Sequence, residues 1–184
     1  MKNKSSARDH MKEGAFHFAL NQFEESVEHF SNAIEADPKH HMAFLSRGVA
    51  YAKMDRPDLA KADFDRAIEL NPHDPRGYHF RGLTHLSRGN RGAAKSDFDK
   101  AIELNPRYGV AYFSRGTTLS EMGDADTAGR DMVMAARLGE ANLQEFSDYY
   151  NIWRTQFDKT EAVLLKEREA DIAVKPDLTS WLED

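Results

Sequence analysis

The chain has 184 residues, a length that favours one continuous unit with a substantial buried core. Its 25 Lys and Arg residues are outnumbered by 31 Asp and Glu, and the net charge of -6 argues against nucleic acid or an anionic membrane surface as the partner. The absence of cysteine excludes disulfides, thiol catalysis and cysteine-ligated metal, and no apolar run is typical of a signal peptide or membrane span. We therefore expect a soluble, cytoplasmic protein.

One eleven-residue stretch recurs along the chain at a fixed interval. The string A-D-F-D-R-A-I-E-L-N-P at 62–72 returns thirty-four residues later as S-D-F-D-K-A-I-E-L-N-P at 96–106, and a looser copy occupies 28–38. A fixed period of this length is typical of stacked-repeat proteins. It divides the chain, without insertion, into four units: 7–40, 41–74, 75–108 and 109–142.

The four units share residue types at the same positions, counted from 1 to 34 within each unit. Position 8 is always Gly and position 27 is always Ala, whereas position 24 is Phe in three units and Met in the fourth. These positions fall at helical spacing in two blocks, with breakers such as Pro57 and Gly89 between the blocks and Pro38, Pro72 and Pro106 at the unit ends. Each unit is therefore predicted to be a pair of antiparallel helices, and the fold class to be all-α, with stacked neighbours burying a continuous seam.

The pattern of an aromatic residue, Gly, Ala, Phe, Ala and Pro at positions 4, 8, 20, 24, 27 and 32 resembles the tetratricopeptide repeat. The resemblance covers residues 7–142 and implies a right-handed superhelical solenoid of antiparallel helix pairs. The fourth unit departs from it, because Leu119 replaces the aromatic residue at position 11, Met132 stands at position 24 and the terminal Pro is missing. We interpret these departures as the end of the stack.

Two further positions carry opposite charges in phase. Position 7 is Arg in the last three units, where position 23 is Asp, and the first unit has Glu13 and His29 there instead. Positions 7 and 23 lie at comparable heights on two antiparallel helices. We predict an interhelical ion pair or hydrogen bond in every unit.

The candidate binding surface is the face of each first helix that turns away from the second helix, at positions 2, 5, 6, 9 and 12. Its candidate groove residues are Met11, Phe18, Met42, Leu45, Val49, Arg76, His79, Phe80, Leu83 and Phe113. The resemblance implies that such a face holds an extended or helical peptide. Of the residues with which one version of the family clamps a C-terminal carboxylate, Arg76 alone is present, so an apolar or amphipathic segment is favoured. Packing between neighbouring first helices is the alternative role for each of these side chains.

The period fails after Gly139. Residues 143–170 are predicted to form a capping helix, since their apolar side chains mostly recur three or four residues apart and a repeat array needs a terminal cap. A partner-binding helix is the alternative. We expect residues 1–6 to be disordered, and residues 171–184 to form a tail that either docks through Trp181 or is disordered. Docking in the chain's own groove or in that of a second copy, and a homodimer through the C-terminal helix or tail, are left open.

The sequence shows no arrangement typical of catalysis. Eight His are scattered without the His-Glu-x-x-His spacing of a metal site, and no strand precedes a Gly-rich loop. We predict no catalytic residue, no metal and no cofactor. The predicted function is a non-catalytic interaction module for a protein or peptide partner, as a chaperone or assembly factor; a self-associating scaffold or a non-catalytic subunit of an enzyme complex is the alternative.

Overall fold

A computed structural model describes the backbone of residues 6–149 and the side chains of residues 6–138. This part of the chain contains eight helices and no strand, which confirms the all-α fold class. The helices are α1 (Ala7–Ala19), α2 (Phe23–Ala36), α3 (His41–Lys53), α4 (Pro57–Leu70), α5 (Pro75–Ser87), α6 (Arg91–Leu104), α7 (Gly109–Glu121) and α8 (Ala125–Tyr149).

The helices pack in consecutive pairs, each of which we call a repeat, numbered 1 to 4. The second helix of each repeat packs on the first helix of the next, and consecutive first helices also contact one another. In the described part of the chain, contacts between consecutive second helices are sparser. The array therefore curves with α1, α3, α5 and α7 on its concave side, and we call these the inner helices and the others the outer helices.

The two helices of a repeat approach closely at the glycine of position 8. A Cβ atom on Gly82 would lie 2.6 Å from Cε1 of Phe98, and one on Gly48 would lie 2.7 Å from Cε1 of Phe64. Both phenylalanines are fully buried. Any side chain at position 8 would push the aromatic ring out of this contact, so the packing requires glycine.

The turn inside each repeat depends on a residue in the left-handed backbone region. This residue stands at position 15 every time: Asn21, Asp55, Gly89 and Gly123, with φ between 55° and 88°. Glycine adopts this conformation without strain, and Asn and Asp tolerate it better than other side chains. The chain therefore reverses at the same point of each repeat.

The two ends of the array are a capped first helix and a long last helix. Ser6 is the N-cap of α1, because its Oγ accepts a hydrogen bond from Asp9 N at 3.2 Å and its own backbone N donates to Asp9 Oδ2 at 3.1 Å. The rest of the predicted disordered N-terminus lies outside the described residues. At the other end α8 continues without interruption across residues 142 and 143, where the last repeat was expected to end. The remainder of the predicted capping helix and the whole tail also lie outside the described residues.

No helix in the described part of the chain combines the length and the apolar character needed to cross a membrane.

Candidate functional site

An arginine at position 7 joins the two helices of each of the last three repeats. Arg47 donates from Nε to Asp63 Oδ2 at 2.8 Å and from Nη2 to Asp63 Oδ1 at 2.7 Å. The same pair of hydrogen bonds links Arg81 with Asp97 and Arg115 with Asp131. The predicted interhelical contact is therefore confirmed in repeats 2 to 4, as a bidentate ion pair.

Each of these arginines also reaches the repeat before its own. Its third nitrogen, Nη1, donates to the side chain at position 25 of the preceding outer helix: Ser31 at 3.0 Å, Asp65 at 2.8 Å and Asp99 at 2.7 Å. We call these three-way contacts the arginine joints. The sequence prediction missed position 25, although Asp65 and Asp99 recur there in phase. The joints fix each inner helix relative to both outer helices that it touches.

The aspartates at position 23 of the arginine joints are removed from water. The side chain of Asp63 is 7% exposed and that of Arg47 is 21% exposed. Hydrogen bonding to Asp63 raises the pKa of Arg47, whereas burial raises the pKa of Asp63 against the opposing effect of Arg47. Removal of one partner would leave the other charge buried, so the contact is costly to break.

The prediction of a matching contact in repeat 1 is wrong. Glu13 and His29 form no ion pair in the described structure; instead the His29 ring stacks on His17, with ring centroids 5.1 Å apart, and lies 6.1 Å from the ring of His10. An imidazole is shorter than a guanidinium and presents no two-pronged donor, so it cannot replace the arginine contact with the charges exchanged.

The part of each inner helix that faces the concave side consists of positions 2, 6, 9 and 13. These positions lie within about 60° of one another around a helix with 3.6 residues per turn, and we call them the inner stripe. The predicted groove residues divide by burial around this stripe. Phe18, Leu45, Val49 and His79 are buried, Met11, Met42, Arg76, Phe80 and Phe113 are half-buried, and Leu83 is exposed. A ligand on the concave side therefore meets the last two groups, while the four buried side chains lie beneath them.

The half-buried side chains of repeats 2 and 3 lie on one continuous core. Met42 and Phe80 both pack against the cluster that contains Leu45 and Phe64. The rings of Phe64 and Phe80 stack with centroids 5.7 Å apart. Phe80 is thus held in place by the repeat before it, which fixes its orientation on the inner stripe.

His79 joins two inner helices. Its Nε2 lies 3.0 Å from Ser114 Oγ on α7, within hydrogen-bond distance, and its ring lies among those of Phe98 and Tyr108. Burial lowers the pKa of His79 to about 4, so the ring is neutral at physiological pH. We conclude that His79 is a packing residue between repeats 3 and 4.

Arg76 is held within its own repeat. Its Nε and Nη2 donate to the carboxylate of Asp74 at 2.6 and 2.5 Å, and the carboxylate also caps α5 through Arg76 N. The side chains of both residues are largely buried. The arginine that resembles a carboxylate-clamp residue is therefore already bonded to an internal carboxylate.

The charges of the inner stripe are distributed unevenly. Arg8, Lys12 and Lys53, in repeats 1 and 2, are exposed and form no ion pair with any described residue. Glu121, in repeat 4, is bonded to Arg91 at 2.7 Å. The stripe is thus basic at its first half and neutral and apolar beyond it. Sequence reasoning omitted position 13, and with it Lys53.

No group of three or more His, Asp or Glu side chains within residues 6–138 is arranged to hold a metal ion.

Comparison with known proteins agrees with this architecture. Family models described as tetratricopeptide repeat match residues 10–40, 41–74, 75–108 and 98–130, which together span about two thirds of the chain. No curated protein matches the sequence.

Three solved structures illustrate the likeness in fold. A crystal structure of MamA is 23% identical, with 75% of this chain and 81% of that chain covered and a TM-score of 0.67. The first TPR of Spaghetti (RPAP3), bound to the HSP90 peptide SRMEEVD, is 21% identical, with 66% and 96% covered and a TM-score of 0.62. YrrB, a TPR protein with an unusual peptide-binding site, is 23% identical, with 72% and 68% covered and a TM-score of 0.61. With its repeated helix pairs and the family matches along them, the chain belongs to the tetratricopeptide repeat family.

Proposed function

We propose that the protein is a non-catalytic interaction module that binds a short apolar or amphipathic segment of a partner protein on its inner stripe. The observation that carries the proposal is the set of accessible apolar side chains on the stripe, Met42, Phe80, Leu83 and Val110, with the half-buried Phe113 beside them. Leu83 is 39% exposed at the centre of this set. Accessible apolar side chains on a curved, rigid surface favour a partner that covers them.

The chemistry of the stripe favours an apolar anchor over a terminal carboxylate. Arg76 is bonded to Asp74, and repeats 3 and 4 present no cation on the stripe that is without a carboxylate partner. The HSP90 peptide bound to Spaghetti and the peptide-binding site of YrrB support a peptide ligand for this chain as well. We infer that the affinity comes mainly from burial of apolar side chains, with Met42 adding adaptability.

The arginine joints support a role that needs a preformed surface. Since each inner helix is fixed to two outer helices, the stripe does not have to be ordered when the partner binds, and this lowers the cost of binding. A chaperone or assembly factor for a protein with an exposed apolar segment is the role that we favour. A self-associating scaffold would use the same side chains on a second copy.

The test compares two exposed leucines on opposite sides of the array. Leu83→Glu should reduce the amount of partner recovered from native cytosol by tenfold or more, because a charge would be buried under the bound segment. Leu59→Glu is the matched control, since Leu59 is 45% exposed on the outer helix α4. The measurement is quantitative mass spectrometry after pull-down with the full chain. Equal recovery with the two variants would place the binding surface elsewhere.

A further inference from the structure

The inner stripe is basic in a protein that is acidic as a whole. The net charge is -6, yet Arg8, Lys12 and Lys53 stand exposed on the stripe without ion-pair partners among the described residues. Most other basic side chains on the helices are neutralised, as in the pairs of Lys61 with Asp65 and of Lys95 with Asp99. The stripe therefore carries positive charge that no ion pair within residues 6–138 neutralises, next to its accessible apolar side chains.

A ligand that matches both features has apolar side chains next to acidic ones. Residues 177–184, D-L-T-S-W-L-E-D, have this composition: three acidic residues, no basic residue, and the apolar side chains Leu178, Trp181 and Leu182. In a helical turn these three apolar residues share one face, since they are spaced three and four apart. The segment matches the stripe in charge and in apolar content.

The segment is long enough to reach the stripe. The 27 residues between Tyr149 and Asp177 span up to about 90 Å when extended. This exceeds the roughly 37 Å length of the 25-residue helix α8. If residues 150–170 continue the predicted capping helix they span about 31 Å, and the segment then reaches the stripe where the chain turns back along α8. Tethering also gives the segment an effective concentration on the order of millimolar, which favours it over the same segment of a second copy.

We propose that residues 177–184 occupy the inner stripe of their own chain. Trp181 and Leu182 lie over Phe80 and Leu83, and the acidic residues face Lys12 and Lys53. This inference rests on the proposed function, because it assigns to the chain itself a segment of the kind that the stripe binds. The segment competes with the partner, so the protein is partly inhibited until a stronger ligand displaces it.

The test follows the fluorescence of Trp181 in the full chain. The protein has two tryptophans, so Trp153→Phe leaves Trp181 as the reporter. In this background acrylamide should quench Trp181 several-fold less than it quenches a synthetic peptide of residues 177–184. Lys12→Glu with Lys53→Glu should raise quenching to the level of the peptide. Adding Glu183→Lys and Asp184→Lys to that variant should restore protection.

Two exposed cations outside the stripe provide the control. Lys39→Glu with Arg107→Glu makes the same change of charge in the turns between repeats and should leave Trp181 protected. Quenching of Trp181 equal to that of the free peptide would overturn the proposal. So would an equal rise in quenching in the Lys12→Glu, Lys53→Glu variant and in the Lys39→Glu, Arg107→Glu control. Protection that disappears on dilution would also overturn it, since the segment would then belong to a second copy.

A second measurement separates this inference from the proposed function. Trp181→Ala with Leu182→Ala should increase partner recovery in the pull-down several-fold, because the competing segment is weakened. Unchanged recovery, together with loss of recovery in Leu83→Glu, would reject docking of the tail and leave the proposed function standing. Unchanged recovery in Leu83→Glu would reject the proposed function instead.

Discussion

Repeat 1 shares its apolar packing with repeats 2 and 3 but differs from repeats 2 to 4 in the polar contact between its helices. In each of the first three repeats a phenylalanine at position 24 is fully buried against the glycine of position 8, as in Phe30 with Gly14. The arginine contact is present in repeats 2 to 4, whereas repeat 1 has stacked His17 and His29 in its place.

This difference shows which task the arginine performs. Repeat 1 forms its helix pair without the arginine, through apolar packing and a buried hydrogen bond that Ser26 Oγ donates to Gly14 O at 2.9 Å. Every repeat that has the arginine also has a preceding repeat in the described chain, and Nη1 of that arginine bonds to it. We infer that the arginine, besides joining the two helices of its own repeat, attaches that repeat to the repeat before it.

The largest expected effect tests the shared packing. Phe98→Ala should lower the free energy of unfolding by about 3 to 5 kcal/mol, because it removes a fully buried ring and leaves a cavity beside Gly82. Phe30→Ala in repeat 1 should cost a similar amount. Urea denaturation followed by circular dichroism measures both. A much smaller cost in repeat 1 would mean that its packing is not equivalent.

Acid pH should weaken the packing of His79 between repeats 3 and 4. His79 has a folded pKa of about 4, well below the usual value near 6.5, so the unfolded chain takes up a proton first as the pH falls. Its stabilising contribution is complete above pH 6.5 and should be lost between pH 6.5 and 4, by about 3 kcal/mol.

The matched variant for the acid effect is His79→Phe, since repeat 4 has Phe113 at the same position. Thermal unfolding measured across this pH range should show a smaller acid loss in the variant than in the parent protein. An identical pH profile would assign the loss to other groups, such as His41, whose pKa is also lowered by burial.

The third-largest expected effect compares the Arg81–Asp97 contact of repeat 3 with the histidine stack of repeat 1. Asp97→Ala should cost about 2 to 3 kcal/mol, because Arg81 would keep its bond to Asp65 but lose two charged hydrogen bonds. His29→Ala at the same position of repeat 1 should cost less than about 1 kcal/mol. A double-mutant cycle with Arg81→Ala isolates the coupling energy. Equal losses of unfolding free energy in Asp97→Ala and His29→Ala would contradict the distinction between repeat 1 and the later repeats.

The smallest effect tests whether the contact can be transferred. Glu13→Arg with His29→Asp places the residues of the later repeats in repeat 1. We expect a gain of only about 0.5 to 1 kcal/mol, because no preceding outer helix in the described chain supplies the third hydrogen bond. Comparison of urea midpoints with those of the two single variants detects it. A gain as large as the cost of Asp97→Ala would show that the third hydrogen bond, to the preceding repeat, adds little stability.

The sequence predicts the fold well because packing between two helices depends on residues that recur in phase. The Arg and Asp of positions 7 and 23 were recognised for that reason. Position 25 was missed because Ser31 differs from Asp65 and Asp99 in type, although all three accept the same hydrogen bond. The pattern of charge indicates which residues face each other across the helix pair. The length and shape of the side chains decide which of these residues form hydrogen bonds.

The groove was harder to predict because burial depends on the neighbouring repeat. Leu45 is 1% exposed and Leu83 is 39% exposed, although both were assigned to the same surface. Repeat position alone does not decide this, since Val49 stands at the same position as Leu83 and is only 6% exposed. The continuity of α8 could not be predicted either. Gly139 inside a helix lowers its stability by only about 1 kcal/mol relative to Ala, so it need not end the helix.

The arginine joints have a consequence for the length of the protein. Each arginine stands sixteen residues from both of its partners, one earlier in the chain and one later, at every joint. Deletion of residues 75–108 would bring Arg115 against Asp65 in place of Asp99, with the same donor and the same acceptor. Loss or duplication of one of repeats 2 to 4 therefore needs no compensating substitution in the arginine joint itself. The same fold can lengthen or shorten in single genetic events while it keeps its arginine joints intact.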